Sequence, residues 1–152
     1  MQEIRILLLL FLLMPASAVW SEAVIDLTIK DVRSAAGHVR VALHRYDGGA
    51  SWNDEPYRVA EIAATEKHEG SLHYRFDTLA TGRYAIRLFH DLNDNQRMDS
   101  NNAGLPLEPF AFSLAENADA VVLPTLEQAS LLIEPGGHSV ELKLRHPHPP
   151  ES

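Results

Sequence analysis

The chain has 152 residues, 13 Lys and Arg against 21 Asp and Glu for a net charge of −8, and no cysteine. Nucleic acid and anionic membrane surfaces both demand clustered basic side chains, so the sign of that charge argues against either as a partner. Without thiols, neither a disulfide framework nor a lipid-modified cysteine is expected, and stability must come from the core, with or without a bound ion.

Residues 1–18 read as a cleaved export signal. Arg5 precedes the apolar run Ile6 to Met14, and Ala16-Ser17-Ala18 supplies a small-x-small cleavage site. The run is too short to span a bilayer. A cut after Ala23 is the alternative, and no later stretch is apolar enough to insert in a membrane. The expected location is therefore the periplasm or the exterior. The remaining chain suits one domain with a single core, assigned to residues 19–145, followed by the proline-rich tail 146–152.

Period-two alternation, the mark of strands with one buried face, governs the elements in chain order. Ile25, Leu27 and Ile29 oppose Asp26, Thr28 and Lys30; Val39, Val41 and Leu43 oppose Arg40 and His44. Ala35-Ala36-Gly37 between these two segments predicts a hairpin. The stretch from Glu55 to Lys67 fits a short helix or a strand. Leu72, Tyr74 and Phe76 then face inward, as do Tyr84, Ile86 and Leu88 after a turn at Thr81-Gly82. Two short strands follow around Phe110 and Leu131, and Pro135-Gly136-Gly137 introduces a last one carrying Val140, Leu142 and Leu144. About seven strands joined by Gly, Pro and Asn turns predict an all-β, antiparallel β-sandwich.

Oxygen-bearing side chains are staggered along "HDLNDNQRMD", residues 90–99. With Asp91 as position one, Asn93 falls at three, Asn95 at five, Arg97 at seven through its backbone carbonyl and Asp99 at nine, which is the spacing of an EF-hand-type calcium loop. Gln96 stands at position six, where the turn favours glycine, and Asn102 at twelve, where a bidentate Glu is usual; Glu108 or Asn101 would have to complete the set. A site so composed would be weak, on the order of 10⁻⁴–10⁻³ M. The same residues also suit a metal-free polar turn, because Asn and Asp bond the backbone two residues onward.

The segment from Gly82 through Ser113, together with "PTLEQASLLI" and "VELKLR", resembles the exported bacterial proteins grouped as domain of unknown function 2141. The residues carrying the resemblance are Gly82, Tyr84, Ala85, His90, Asp91, Asn93, Asn95, Asp99, Gly104, Pro106, Glu108, Phe112 and Ser113, and it extends over about residues 22–146. Thr81, Gln96 and Ala111 depart from the family pattern, which has Pro, Gly and Gly there. The resemblance implies a β-sandwich related to immunoglobulin-like or transthyretin-like modules, and no established activity.

Other chemistry-bearing residues carry weaker signals. His90 suits a structural role, locking the loop, better than catalysis. Asp99 and Glu108 lack the signs of a sugar cleft, and Ser113 and Ser130 lack a nucleophile-elbow setting. His146 and His148 belong to a solvated tail that could pick up a transition metal adventitiously. Trp52 and Tyr57 are either an outward platform or a cap on the core. The expected function is an exported, non-enzymatic module with a possible calcium-stabilised loop, contacting a protein or glycan through that loop and the 51–57 loop. The alternative is a metal-dependent hydrolase built around His90, Asp91, Asp99 and Glu108.

Overall fold

The computed structural model describes residues 22–114 and 123–147. The export signal, the cleavage site after Ala18, His148 and most of the expected tail lie outside the described residues, whereas the alternative cut after Ala23 falls inside the first strand. Among the described residues eight strands follow in order: β1 (Ala23–Lys30), β2 (His38–Tyr46), β3 (Arg58–Ala63), β4 (Leu72–Leu79), β5 (Gly82–Asp91), β6 (Phe110–Phe112), β7 (Ser130–Ile133) and β8 (Gly136–Lys143). A 3₁₀ turn, Ala64–Glu66, follows β3, and the ambiguous stretch is a strand over Arg58–Ala63.

These strands form the two layers of a β-sandwich. One sheet has the order β4-β1-β8; the other runs β3-β2-β5-β6, with β7 also paired to β5. Every pairing is antiparallel except that of the first and last strands, which run parallel from Ala23↔Gly136 to Lys30↔Lys143. The predicted β1–β2 hairpin does not form. Ala35-Ala36-Gly37 lies in a connection that carries the chain from one sheet to the other, so β1 and β2 face each other across the core. That order also differs from the ABED and CFG sheets of an immunoglobulin constant domain, where the first two strands share a sheet.

Alternation chose the core correctly. Ile25, Leu27 and Ile29 meet Val39, Val41, Leu43, Tyr84, Ile86 and Leu88, all at most 3 % exposed. Each such burial contributes about 1.5–3 kcal/mol, which offsets the entropy of ordering the strands. Tyr84 keeps its hydroxyl satisfied by donating to the Ala80 carbonyl at 2.8 Å, a bond that ties down the crossing from β4 to β5.

The outer face of the five-stranded sheet is covered at one end. Ala85 is fully buried there against Leu126 and Ala129, with Tyr46, Ala50 and Trp52 alongside. The connection before β3 and the turn after residue 123 thus fold over the sheet as a second, smaller apolar layer. His44, expected to face water, lies beneath this layer and is 2 % exposed, its ring edge-on to Trp52 at 5.1 Å.

Candidate functional site

β5 ends at Asp91, and strand alternation sends the side chains of His90 and Asp91 to opposite faces of the sheet. Both are fully buried. His90 points toward the core side, where its Nε2–H donates to the Ala36 carbonyl at 2.7 Å and so fastens β5 to the β1–β2 crossing. Its Nδ1 has no hydrogen-bond partner among the described residues. The structural reading of His90 as a lock on this end of the sandwich matches that geometry.

Asp91 organises the loop that follows. Its Oδ1 accepts from the backbone N–H of Asn95 at 3.1 Å, and its Oδ2 accepts from the N–H of Gln96 at 2.8 Å and from Arg40 Nε at 2.6 Å. Arg40 in turn bridges to Glu61 on β3. Burial alone would raise the Asp91 pKa, but the Arg40 hydrogen bond and the two backbone N–H groups outweigh it and hold the carboxyl below the usual carboxylate range.

Further along the loop, Asn93 Oδ1 accepts from Asn95 N–H at 3.1 Å, and Asn95 Oδ1 from Arg97 N–H at 2.9 Å, two successive Asx turns. The amide groups of Asn93 and Asn95 both donate to the Asp99 carboxylate, at 2.7 Å and 2.9 Å. Glu108 closes the loop from beyond the next turn: its Oε1 accepts from Leu92 N–H at 2.8 Å and its Oε2 from Asp99 N–H at 3.1 Å. Asp94 and Gln96 adopt left-handed φ values of 57° and 67°, so the backbone makes the tight bend without the glycine that such a bend favours. Asp94 also reaches back to His38 Nδ1 at 2.6 Å and raises that imidazole's pKa.

The predicted ligand set, Asp91, Asn93, Asn95, Arg97, Asp99 and Glu108, is thus gathered in one loop, but around hydrogen-bond donors. Each carboxylate is engaged with N–H groups, and the Arg40 guanidinium stands where Asp91 would meet a cation. Among the described residues no group of three or more His, Cys, Asp or Glu is arranged to hold a metal ion. The four residues of the hydrolase alternative do not converge, since His90 faces the core while Asp91 and Glu108 accept from loop backbone N–H groups and Asp99 from the Asn93 and Asn95 amides. Ser113 and Ser130 are buried and structural. Ser113 bonds Ile86 and Ala129 backbone groups, and Ser130 accepts from Arg83.

The structure decides between the two readings of Trp52. Trp52 is not an outward platform: its ring packs against His44 and Phe112, and its Nε1–H donates to the Pro124 carbonyl at 2.7 Å. The 51–57 loop follows the Tyr46 end of β2 and doubles back over the sheet, where Trp52 meets Phe112 and Arg87, while the Asp/Asn loop leaves β5 beside the His38 end of β2. His146 likewise is no free tail residue; it is half-buried and its Nε2 lies 2.9 Å from the Asp31 carbonyl.

Between those two loops, the outer face of the five-stranded sheet holds an open cleft of about 700 Å³. Its floor includes Ala42, Val59, Arg87 and Phe89, and Gln96, Met98 and Pro106 wall it on the Asp/Asn side. Neither the cleft nor the importance of Arg87 was visible in the sequence, where Arg87 was one polar residue on the wet face of a strand.

Among the described residues, a two-layer sandwich with an Asx-rich loop closed by its own carboxylates defines a small β domain. The chain belongs to the family described as "Uncharacterized protein conserved in bacteria (DUF2141)", whose model matches residues 27–141. No curated protein and no solved structure matches it. Among the described residues, no helix is long and apolar enough to cross a membrane.

Proposed function

We propose that the chain is an exported, non-enzymatic binding module of the bacterial envelope, which receives a protein or glycan partner on the outer face of its five-stranded sheet. The observation that carries this reading is the open cleft of about 700 Å³ bracketed by the Asp/Asn loop and the 51–57 layer. The volume lies within the range of about 300–1,000 Å³ in which ligand sites fall. Val59, 70 % exposed at its edge, offers apolar surface to a partner. The loop carboxylates serve as rigid internal acceptors that shape the cleft wall. Export itself rests on the signal-like residues 1–18.

The test places a photo-reactive residue at Val59, on the cleft, or at Arg75, exposed on β4 of the opposite sheet, in cells that express the full chain. Covalent adducts from position 59 and none from position 75 support the reading. Equal labelling, or none at 59, overturns it, and mass analysis of the adduct separates protein from glycan.

A second reading keeps one calcium ion in the Asp/Asn loop. Gln96 favours it, because its φ of 67° supplies the bend that a calcium loop of this spacing requires. Asp91, Asn93, Asn95, Asp99, Glu108 and the Arg97 carbonyl would be the ligands, after the two amides turn their oxygens inward. Melting in millimolar calcium against chelator decides it: a calcium-dependent rise in Tm that Asp99→Asn abolishes supports the ion, and identical curves remove it.

A further inference from the structure

Arg87 is the most unusual cation of the described residues. It projects from the middle strand β5, between Ala42 on β2 and Phe112 on β6, into the floor of the cleft. It is half-buried, and among the described residues its side chain makes no ion pair and no hydrogen bond. The guanidinium carbon lies 5.7 Å from the Trp52 ring centroid, and its charge also acts on the buried His44. Burial lowers its pKa, with no carboxylate acting against that shift. A guanidinium stays charged in spite of this and carries a desolvation penalty until an acceptor arrives. A cation–π contact with the Trp52 ring occupies none of the guanidinium N–H donors with an oxygen acceptor, and such a fork of donors receives a carboxylate through two bonds.

The rest of the cleft agrees in charge and polarity. Of its other charged side chains, Arg40 and Glu61 pair with each other, Arg40 also bonding the buried Asp91, while Arg97 has no ion pair among the described residues. The lining thus sets three arginines against one carboxylate on a chain of net charge −8. Around Arg87 the lining is apolar, with Val59, Leu88, Phe89, Met98, Phe110 and Phe112.

We infer that this cleft binds a small amphipathic carboxylate, with its carboxylate on the Arg87 guanidinium and its hydrocarbon body laid along Phe89, Phe112 and Val59. The inference rests on the reading of this sheet face as the binding surface and names the chemistry of one occupant. A free inorganic anion would leave the apolar lining wet, and an uncharged apolar molecule would leave Arg87 without an acceptor among the described residues.

Titration of the purified chain with dodecanoate, dodecanol and acetate, followed by calorimetry and tryptophan fluorescence, tests it. Dodecanoate is expected to bind in the micromolar range, dodecanol at least tenfold more weakly, and acetate not measurably. Arg87→Met should reduce dodecanoate to the level of dodecanol, with circular dichroism reporting an unchanged fold. Val59→Asp, at an exposed edge position, should weaken both long-chain probes without touching the core. Dodecanol binding as tightly as dodecanoate, or Arg87→Met binding dodecanoate unchanged, overturns the inference while the sheet face remains a binding surface. Absence of binding by every probe also overturns it, and adducts formed at position 59 in cells would then identify a macromolecular occupant and leave the broader reading intact.

Discussion

A Cβ placed on Gly37 would overlap the carbonyl oxygen of Asp91 and stand 2.9 Å from its carbonyl carbon, so the β1–β2 crossing is seated directly on the backbone that opens the Asp/Asn loop. Gly37 also has a φ of 68°, a conformation that costs an L-residue about 1–2 kcal/mol by itself. The obstacle is main chain and cannot swing aside. Gly37→Ala is expected to destabilise the domain by about 3 kcal/mol or more, the range of severe backbone and overpacking defects. Urea unfolding at an unchanged m-value measures it; a loss under 1 kcal/mol would mean the contact is looser than described.

Asp91 carries the largest polar responsibility in the loop. Asp91→Asn turns one acceptor into a donor facing Arg40 or a backbone N–H, and is expected to cost about 3 kcal/mol at neutral pH. The pH dependence has a definite sign. Because the folded pKa of Asp91 is depressed, its contribution is complete above its unfolded value of about 3.9 and is lost as pH falls through the lower folded value. Wild type and Asp91→Asn should therefore converge in stability on acidification through that window, and parallel curves would contradict the assignment.

Gln96 occupies a left-handed position that glycine would adopt freely. Gln96→Gly is expected to raise stability by about 0.5–1 kcal/mol, the relief of strain exceeding the greater entropy of glycine in the unfolded chain. Thermal melting reads this as a small upward shift in Tm. A fall would indicate that the Gln96 side chain contributes more than its backbone strain costs.

His44 lies buried beneath Trp52 with Nε2 lacking a partner among the described residues. Burial pushes its pKa down, the charge of Arg87 pushes the same way, and Asp54 opposes them. The neutral ring is thus favoured in the fold, and the stability tied to it is complete above its unfolded pKa of about 6.5 and lost as pH falls toward the folded value. His44→Phe should abolish that slope in unfolding free energy below neutral pH. Retention of the slope in the variant would assign it to another group.

Much of the sandwich was legible because a half-buried strand writes its inner face at every second position. Ile25, Leu27, Val41, Ile86 and Leu142 follow that rule, and the core they form is the one predicted. What alternation does not encode is which strand lies beside which. The Ala35–Gly37 connection has the composition of a hairpin turn, yet Gly37 is there to pass over Asp91 and change sheets. The loop residues were identified because Asp and Asn at alternate positions have few uses. Glu108 was legible as a group reaching back from beyond the next turn, but Arg40 was hidden, since it lies far from the loop in sequence and meets Asp91 only through the sheet register. His44 and Arg87 were misjudged as wet for one shared reason: the second layer formed by Trp52 and Leu126 comes from connections with no periodicity to read.

The parallel pairing of β1 with β8 gives the domain two unlike poles. The chain enters at Ala23, beside Gly136, and its last described residues sit at the far pole, where Arg145 and Phe110 exchange backbone hydrogen bonds close to the Asp/Asn loop. A tether or reporter fused ahead of Ala23 therefore leaves the loop pole facing away from its attachment, whereas the same addition after His146 crowds it. Immobilisation by the front end is the orientation in which this domain can still meet another molecule.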